Sequence, residues 1–177
     1  QPVEGLDYSH ISVSDVRLGV DSIYYGPKGT SFYMRETALK EKSGLEVCEL
    51  TGGVRLDTAF THVELPHLTL RTADSDIEAE VSTDFSVADE KDPGKLRARL
   101  NAQIGKQDLI RFAGSLPQQF IRQYPNHPLI VKGSLNGNLQ RMEFTGLDIN
   151  LPSALHLKAD GVAHNITDLD RLSGQLN

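Results

Sequence analysis

Histidine is the residue type most often used for metal binding and for acid–base catalysis, and the chain contains six of them. Metal sites bring histidines together at short spacings such as His-x-His or His-Glu-x-x-His, and no such spacing occurs here. We therefore expect no metal site. We expect His62 and His67, which flank a predicted strand, to be exposed strand residues. The six histidines are His10, His62, His67, His127, His156 and His164.

A row of carboxylates occupies alternate positions, and calcium sites use several oxygen ligands at alternate positions. The row consists of Asp74, Asp76, Glu78 and Glu80. An EF-hand loop would also need a glycine at its sharp turn and a bidentate acid further along the chain, and neither is present. In a strand, Asp76, Glu78 and Glu80 share one face. We therefore interpret the row as the solvated face of a strand.

Other segments have only a superficial likeness to catalytic or phosphate-binding motifs. Segment 26–30 (GPKGT) lacks the spacing of a phosphate-binding loop, and Pro27 removes an amide donor, so we predict a hairpin turn. Ser115 follows Gly114 but lacks the Gly-x-Ser-x-Gly spacing of a nucleophile elbow. Cys48 has no basic neighbour in sequence to activate it. We predict no catalytic residue and no cofactor, and we expect the chain not to be an enzyme.

The composition is that of a folded chain with an acidic surface. The net charge is −6, and the Lys and Arg residues are scattered, which argues against nucleic-acid binding because phosphate recognition requires a basic surface. No run reaches the roughly 20 apolar residues of a membrane span, and no signal peptide opens the chain. The opening segment 1–5 (QPVEG) looks like mid-protein sequence. We expect residues 1–177 to be a single β-repeat segment of a larger protein.

Apolar and polar residues alternate along most of the chain, which is typical of strands with one apolar face. Clear runs are Ile77–Ala79–Val81 and the series from Leu96 to Ile104. Turn-forming residues separate the runs, and we count Gly52-Gly53 and Asp160-Gly161 among these breakers. The predicted fold class is mainly β. We expect an antiparallel, repetitive, curved sheet that forms a trough or half-barrel or closes as a sandwich.

Four segments share one template, in which two apolar residues at alternate positions are followed, after one extra residue, by two more. An extra residue would turn every later side chain to the wrong face unless a β-bulge absorbs it. We therefore predict a bulge or bend within each copy, between Val13 and Val16, between Met34 and Thr37, between Leu65 and Leu68, and between Phe144 and Leu147.

Near residue 107 the apolar spacing becomes helical. The pattern predicts two short helices, at about 107–113 and 117–124, inside an insert that spans 105–126. Asp108 is expected to cap the first helix through the free amides of its first turn.

Segments 61–72 (THVELPHLTLRT) and 135–144 (LNGNLQRMEF) resemble AsmA-like proteins, above all the TamB (translocation and assembly module) proteins of Bacteroides-type bacteria. Segment 42–47 (KSGLEV) and the helical insert are similar to the same family. The resemblance implies a periplasmic piece of an inner-membrane-anchored protein. It also implies roles in phospholipid transport and in outer-membrane protein assembly with a barrel partner bound elsewhere on the parent protein.

The resemblance also implies an apolar β-groove that shields phospholipid acyl chains at roughly 0.8 kcal/mol per buried methylene. The alternative is a closed β-sandwich that acts as an adhesin or a surface-binding module. In that case the same residues would form an ordinary core. The predicted groove-lining residues are Val63, Leu65, Leu68, Leu70, Ile77, Val81, Met142, Phe144, Leu147, Ile149, Leu155 and Leu157.

Overall fold

The computed structural model describes residues 12–89, 91–113, 124–165 and 173–176. Ten strands and one α-helix make up most of this part. The elements in chain order are β1 (Val13–Gly26), β2 (Gly29–Glu41), β3 (Glu46–Leu56), β4 (His62–Thr72), β5 (Asp76–Asp84), a 3-10 turn (Phe85–Ala88), β6 (Leu96–Ile104), α1 (Lys106–Ala113), β7 (Leu129–Gly137), β8 (Arg141–Leu151), β9 (Leu155–His164) and β10 (Ser173–Leu176).

All ten strands belong to one antiparallel sheet whose spatial order is the chain order, from β1 at one edge to β10 at the other. The substantial contacts among the described elements join strands that follow one another in the chain. The prediction of a mainly β, antiparallel, repetitive sheet is therefore confirmed. The sheet is open, and the closed sandwich that the sequence left as an alternative is not the arrangement found in the described residues. No helix among these residues has the length and apolarity to cross a bilayer.

Register shifts occur at all four points where the sequence predicts a bulge or bend. Strand pairing shifts register between Ser14 and Arg17 in β1 and between Met34 and Thr37 in β2. It also shifts between Leu65 and Leu68 in β4, and between Phe144 and Leu147 in β8. Each extra residue is absorbed locally, so the apolar side chains before and after a bulge stay on the same face.

Two predicted strand breaks were wrong. Gly52-Gly53 lies inside β3, and Asp160-Gly161 lies inside β9. Gly52 has a φ of +151° and sits against the His67 carbonyl of β4, so the glycine permits a close approach of two strands instead of ending one. Gly161 pairs with Phe144 of β8, so the strand pairing continues through this glycine.

Helix α1 confirms the first predicted helix and begins one residue earlier than predicted. The second predicted helix, 117–124, lies outside the described residues except for Tyr124, which is not helical. Strands β6 and β7 pair directly from Leu96↔Gly137 to Ile104↔Leu129, so α1 lies in the connection at the end of a hairpin.

The predicted role of Asp108 as the helix cap was wrong. The first helical hydrogen bond runs from the Leu109 amide to the Gly105 carbonyl, 2.9 Å away, so the helix begins before Asp108. The Asp108 carboxylate instead accepts hydrogen bonds from the hydroxyls of Thr72 and Ser75 and from Arg111. These hydroxyls belong to the β4–β5 turn, which the sequence could not place next to the helix.

The loop between β3 and β4 is held by one carboxylate. Asp57 accepts hydrogen bonds from the Thr61 amide and hydroxyl, both at 2.7 Å, and from the His62 amide at 2.8 Å. The bond from the His62 amide, followed by that from the Thr61 hydroxyl, keeps the pKa of Asp57 below its ordinary value of 3.8. A carboxyl with a lowered folded-state pKa stabilises the fold above the unfolded pKa, and this contribution is lost as the pH falls through the folded pKa.

We therefore expect the Asp57→Asn variant to melt at a lower temperature than the unchanged chain near pH 7. The difference should shrink as the pH falls below about 4, because the asparagine resembles the protonated carboxyl. Thermal melts followed by circular dichroism over this pH range measure the difference. A constant difference at every pH would contradict this assignment.

Candidate functional site

The register of the sheet places apolar side chains in rows that cross the strands. One such row runs through Leu65, Val81, Ala98, Leu135, Phe144 and Gly161, each paired with the next on the neighbouring strand. A parallel row runs through Leu70, Ile77, Ala102, Val131, Ile149 and Leu157. Paired residues of antiparallel strands project to the same side, so the rows form one continuous surface, called the apolar face below.

All twelve predicted lining residues lie on the apolar face. Paired residues project to the same side of the sheet, and each bulge returns the residues after it to that side. Most of them are half-buried. Leu155 and Leu157 are exposed, at 53% and 37% of their surface, whereas Met142 is 1% exposed and offers no accessible surface. Fully covered core leucines would be almost inaccessible, so the half-burial means that the face is largely without a second layer.

The apolar face also extends over strands that the list of predicted lining residues omits. In β1 the side chains of Leu18 and Ile23 are exposed by 63% and 72%, and Tyr25 by 82%. Tyr25 pairs with Thr30 of β2, and Val20, two residues after Leu18, pairs with Met34. The alternation of apolar and polar residues could have identified these further parts of the apolar face from the sequence. It also continues in β6 through Leu100 and in β7 through Val131.

The opposite side of the sheet, called the polar face below, carries charged side chains that pair across strands. Arg71 lies 3.1 Å from Glu49 and 3.3 Å from Asp76, and Lys158 lies 3.4 Å from Asp148. Such exposed pairs contribute little to stability, but they keep this side of the sheet solvated. The sheet is therefore amphipathic, with a hydrated side and an apolar side.

Three members of the carboxylate row, Asp76, Glu78 and Glu80, lie on the polar face of β5, as the strand interpretation predicts, and Asp74 lies in the β4–β5 turn. Asp76 bonds to Arg71, Glu78 accepts a hydrogen bond from Asn101 at 3.3 Å, and Glu80 lies 3.6 Å from Arg99. These side chains are engaged with neighbouring strands. Within the described ranges, no three His, Cys, Asp or Glu side chains converge in a way that would hold a metal ion.

His67 is exposed, as expected, but the expectation for His62 was wrong. The His62 side chain is 32% exposed, and its ring lies between two side chains of β5. Its Nδ1 atom is 2.6 Å from Asp84 Oδ1, and its Nε2 atom is 2.9 Å from Ser82 Oγ. No spacing motif in the sequence signals this cluster, because the three residues meet only through the pairing of β4 with β5.

One end of the sheet is tied to helix α1. Asp108 is 2% exposed, and Ser75, which donates to it at 2.7 Å, also accepts the Gly105 amide at 3.0 Å. At the far side of the connection, Lys106 donates to the Tyr124 carbonyl at 3.0 Å and lies 5.9 Å from the centre of its ring. The helix is thus fixed to the β4–β5 turn at the end of the strands.

Comparison with known proteins finds no matching family model, no similar curated protein and no similar solved structure.

Proposed function

We propose that this chain is a periplasmic segment of an AsmA/TamB-like envelope protein, and that its apolar face shields phospholipid acyl chains. The observation that carries the proposal is the combination of one open sheet with a continuous apolar face that stays half-exposed. A contiguous exposed apolar surface of this kind is rare on monomeric soluble proteins and marks a binding surface.

The dimensions of the apolar face suit an acyl chain. Neighbouring strands lie about 4.8 Å apart, so a row that crosses from β4 to β9 extends for about 24 Å. The hydrocarbon core of a bilayer is about 30 Å thick, so the acyl chains of one leaflet span about 15 Å. Each row is therefore longer than one acyl chain. Binding of this kind needs no polar site, because each methylene removed from water contributes about 0.8 kcal/mol.

The remaining parts of the proposal concern the parent protein. An envelope-spanning protein built from such segments would carry lipid along its apolar face between the two membranes and would support outer-membrane protein assembly. The outer-membrane barrel partner would bind elsewhere on that protein. The alternative function, a closed adhesin or surface-binding module, is less well supported because the described strands form an open sheet.

The proposal predicts that Phe144→Asp weakens phospholipid binding by about tenfold while the sheet stays folded. The substitution removes a large apolar contact and places a charge in the apolar face, which together cost at least about 1.5 kcal/mol of binding. Binding is measured by native mass spectrometry after exposure of the chain to phosphatidylethanolamine and phosphatidylglycerol vesicles. Circular dichroism checks that the fold is kept.

Thr145→Asp is the matched control, because Thr145 is exposed, belongs to the same strand and pairs with Ser134 on the polar face. It adds the same charge to the opposite side, so lipid binding should be unchanged. Equal loss in both variants, or absence of bound lipid from the unchanged chain, would contradict the assignment of the apolar face.

A further inference from the structure

Three side chains on the polar face form a hydrogen-bonded series in the order serine, histidine, aspartate. His62 pairs with Asp84 across β4 and β5, and Ser82 stands two residues before Asp84 on the same side of β5. The contacts are 2.9 Å from Ser82 Oγ to His62 Nε2 and 2.6 Å from His62 Nδ1 to Asp84 Oδ1. In the tautomer that satisfies both contacts, Nδ1–H donates to the carboxylate and the serine hydroxyl donates to Nε2.

Neighbouring groups hold this series in place. The second carboxylate oxygen of Asp84 accepts the Lys95 amide at 2.8 Å, which leaves Oδ1 directed at the imidazole. The His62 amide is fixed by the Asp57 carboxylate. The hydrogen bond with His62, followed by that from the Lys95 amide, lowers the pKa of Asp84, so the carboxyl stays ionised at neutral pH. An ionised carboxylate at Nδ1 fixes the tautomer in which Nε2 is a base.

Ser82 also lines a cavity of about 500 Å³, and Arg97 belongs to the same lining. Arg97 pairs directly with Ser82 across β5 and β6, so both side chains project to the polar face. The guanidinium of Arg97 has no hydrogen bond or ion pair within the part of the chain that the structure describes, whereas that of Arg99, two residues along, lies 3.6 Å from Glu80. Asn136, which pairs with Arg97, lines the same cavity.

We propose that Ser82 is an activated nucleophile with His62 as its general base and Asp84 as the positioning residue, so that the polar face carries a site for acyl transfer from carboxylic esters. The arrangement has the nucleophile, the base and the orienting group of a serine hydrolase in the required order. This activity is separate from the lipid-binding role of the apolar face and is not predicted from the sequence.

The proposed reaction needs no reagent other than the ester and water. The Ser82 oxygen forms a bond to the acyl carbon as its proton passes to His62 Nε2, and the negative charge on the ester oxygen faces the Arg97 guanidinium. The ester C–O bond then breaks, and the leaving alcohol takes the proton from His62. Water attacks the acyl-serine by the same route and releases the carboxylic acid. The cavity volume favours small esters, whose acyl carbon can approach Ser82.

The test is covalent labelling of the full chain with a fluorophosphonate probe, which reacts with activated serines, followed by peptide mass spectrometry. Labelling is expected at Ser82 and is expected to disappear in Ser82→Ala. Asp84→Asn should keep the fold, checked by circular dichroism, and slow the labelling by about 100-fold because the imidazole loses its orientation.

Ser134→Ala is the matched control, because Ser134 lines the same cavity but has no histidine contact in the described structure. Its labelling should equal that of the unchanged chain. The proposal is overturned if Ser82 remains unlabelled, or if it is labelled no faster than Ser134. An unaltered labelling rate in a folded Asp84→Asn variant would also overturn it. None of these outcomes depends on lipid binding, which involves the opposite face.

Discussion

Replacing Gly52 by alanine is expected to lower the free energy of unfolding by about 3 kcal/mol. Gly52 has a φ of +151°, a conformation that side chains disfavour, at the bulge where β3 meets β4. A Cβ atom at this position would overlap the His67 carbonyl oxygen, so the two strands would have to separate. Such a separation would disrupt the pairing that aligns the central apolar rows.

Urea denaturation followed by circular dichroism measures this effect, with Gly53→Ala as the control. A Cβ atom at Gly53 would lie 3.6 Å from Pro66 Cγ, an ordinary contact distance. Gly53→Ala should therefore change the unfolding free energy by no more than about 1 kcal/mol. Similar stabilities for the two variants would show that the close approach at Gly52 does not restrict the sheet.

Replacing Asp108 by alanine is expected to cost about 3 kcal/mol of stability. Asp108 is 2% exposed, and its carboxylate accepts hydrogen bonds from Thr72, Ser75 and Arg111. Its removal leaves two hydroxyls and one guanidinium without their acceptor at the end of the sheet. The loss should exceed the gain from the high helix propensity of alanine, which amounts to less than about 1 kcal/mol.

Urea denaturation gives the change in stability, and amide hydrogen exchange shows where it arises. The amides of α1 should exchange faster in Asp108→Ala, whereas the central strands should keep their protection. Gln107→Ala is the control, because Gln107 is an exposed residue of the same helix. A result in which the two variants behave alike would contradict the role of Asp108 in fixing α1 to the sheet.

Local features of the fold could be predicted where a sequence pattern has one structural solution. The extra residue between Leu65 and Leu68 requires a bulge if both leucines are to stay on one face, and the register shift occurs there. The change from alternating to helical spacing near 107 likewise locates α1. Glycine is less informative, because Gly52 and Gly161 look like strand breaks in sequence but lie inside strands, and Gly52 permits a close contact between two strands.

Features that depend on pairing between distant residues could not be predicted from the sequence. His62, Ser82 and Asp84 meet only because β4 and β5 pair in one particular register. Asp108 reaches Thr72 and Ser75 only because α1 lies beside the β4–β5 turn. The alternation of apolar and polar residues also cannot show that the sheet is open, since an apolar strand face has the same pattern whether it is covered or exposed.

The central claim, that acyl chains lie along the apolar face, is tested most directly by photo-crosslinking with a phospholipid whose acyl chain carries a diazirine. Peptide mass spectrometry then locates the attachment sites on the chain. The account predicts attachment to accessible residues of the apolar face such as Leu135, Phe144 and Leu157, with none at polar-face residues such as Thr145 and Arg99. Attachment distributed equally over both faces, or confined to the polar face, would contradict the claim.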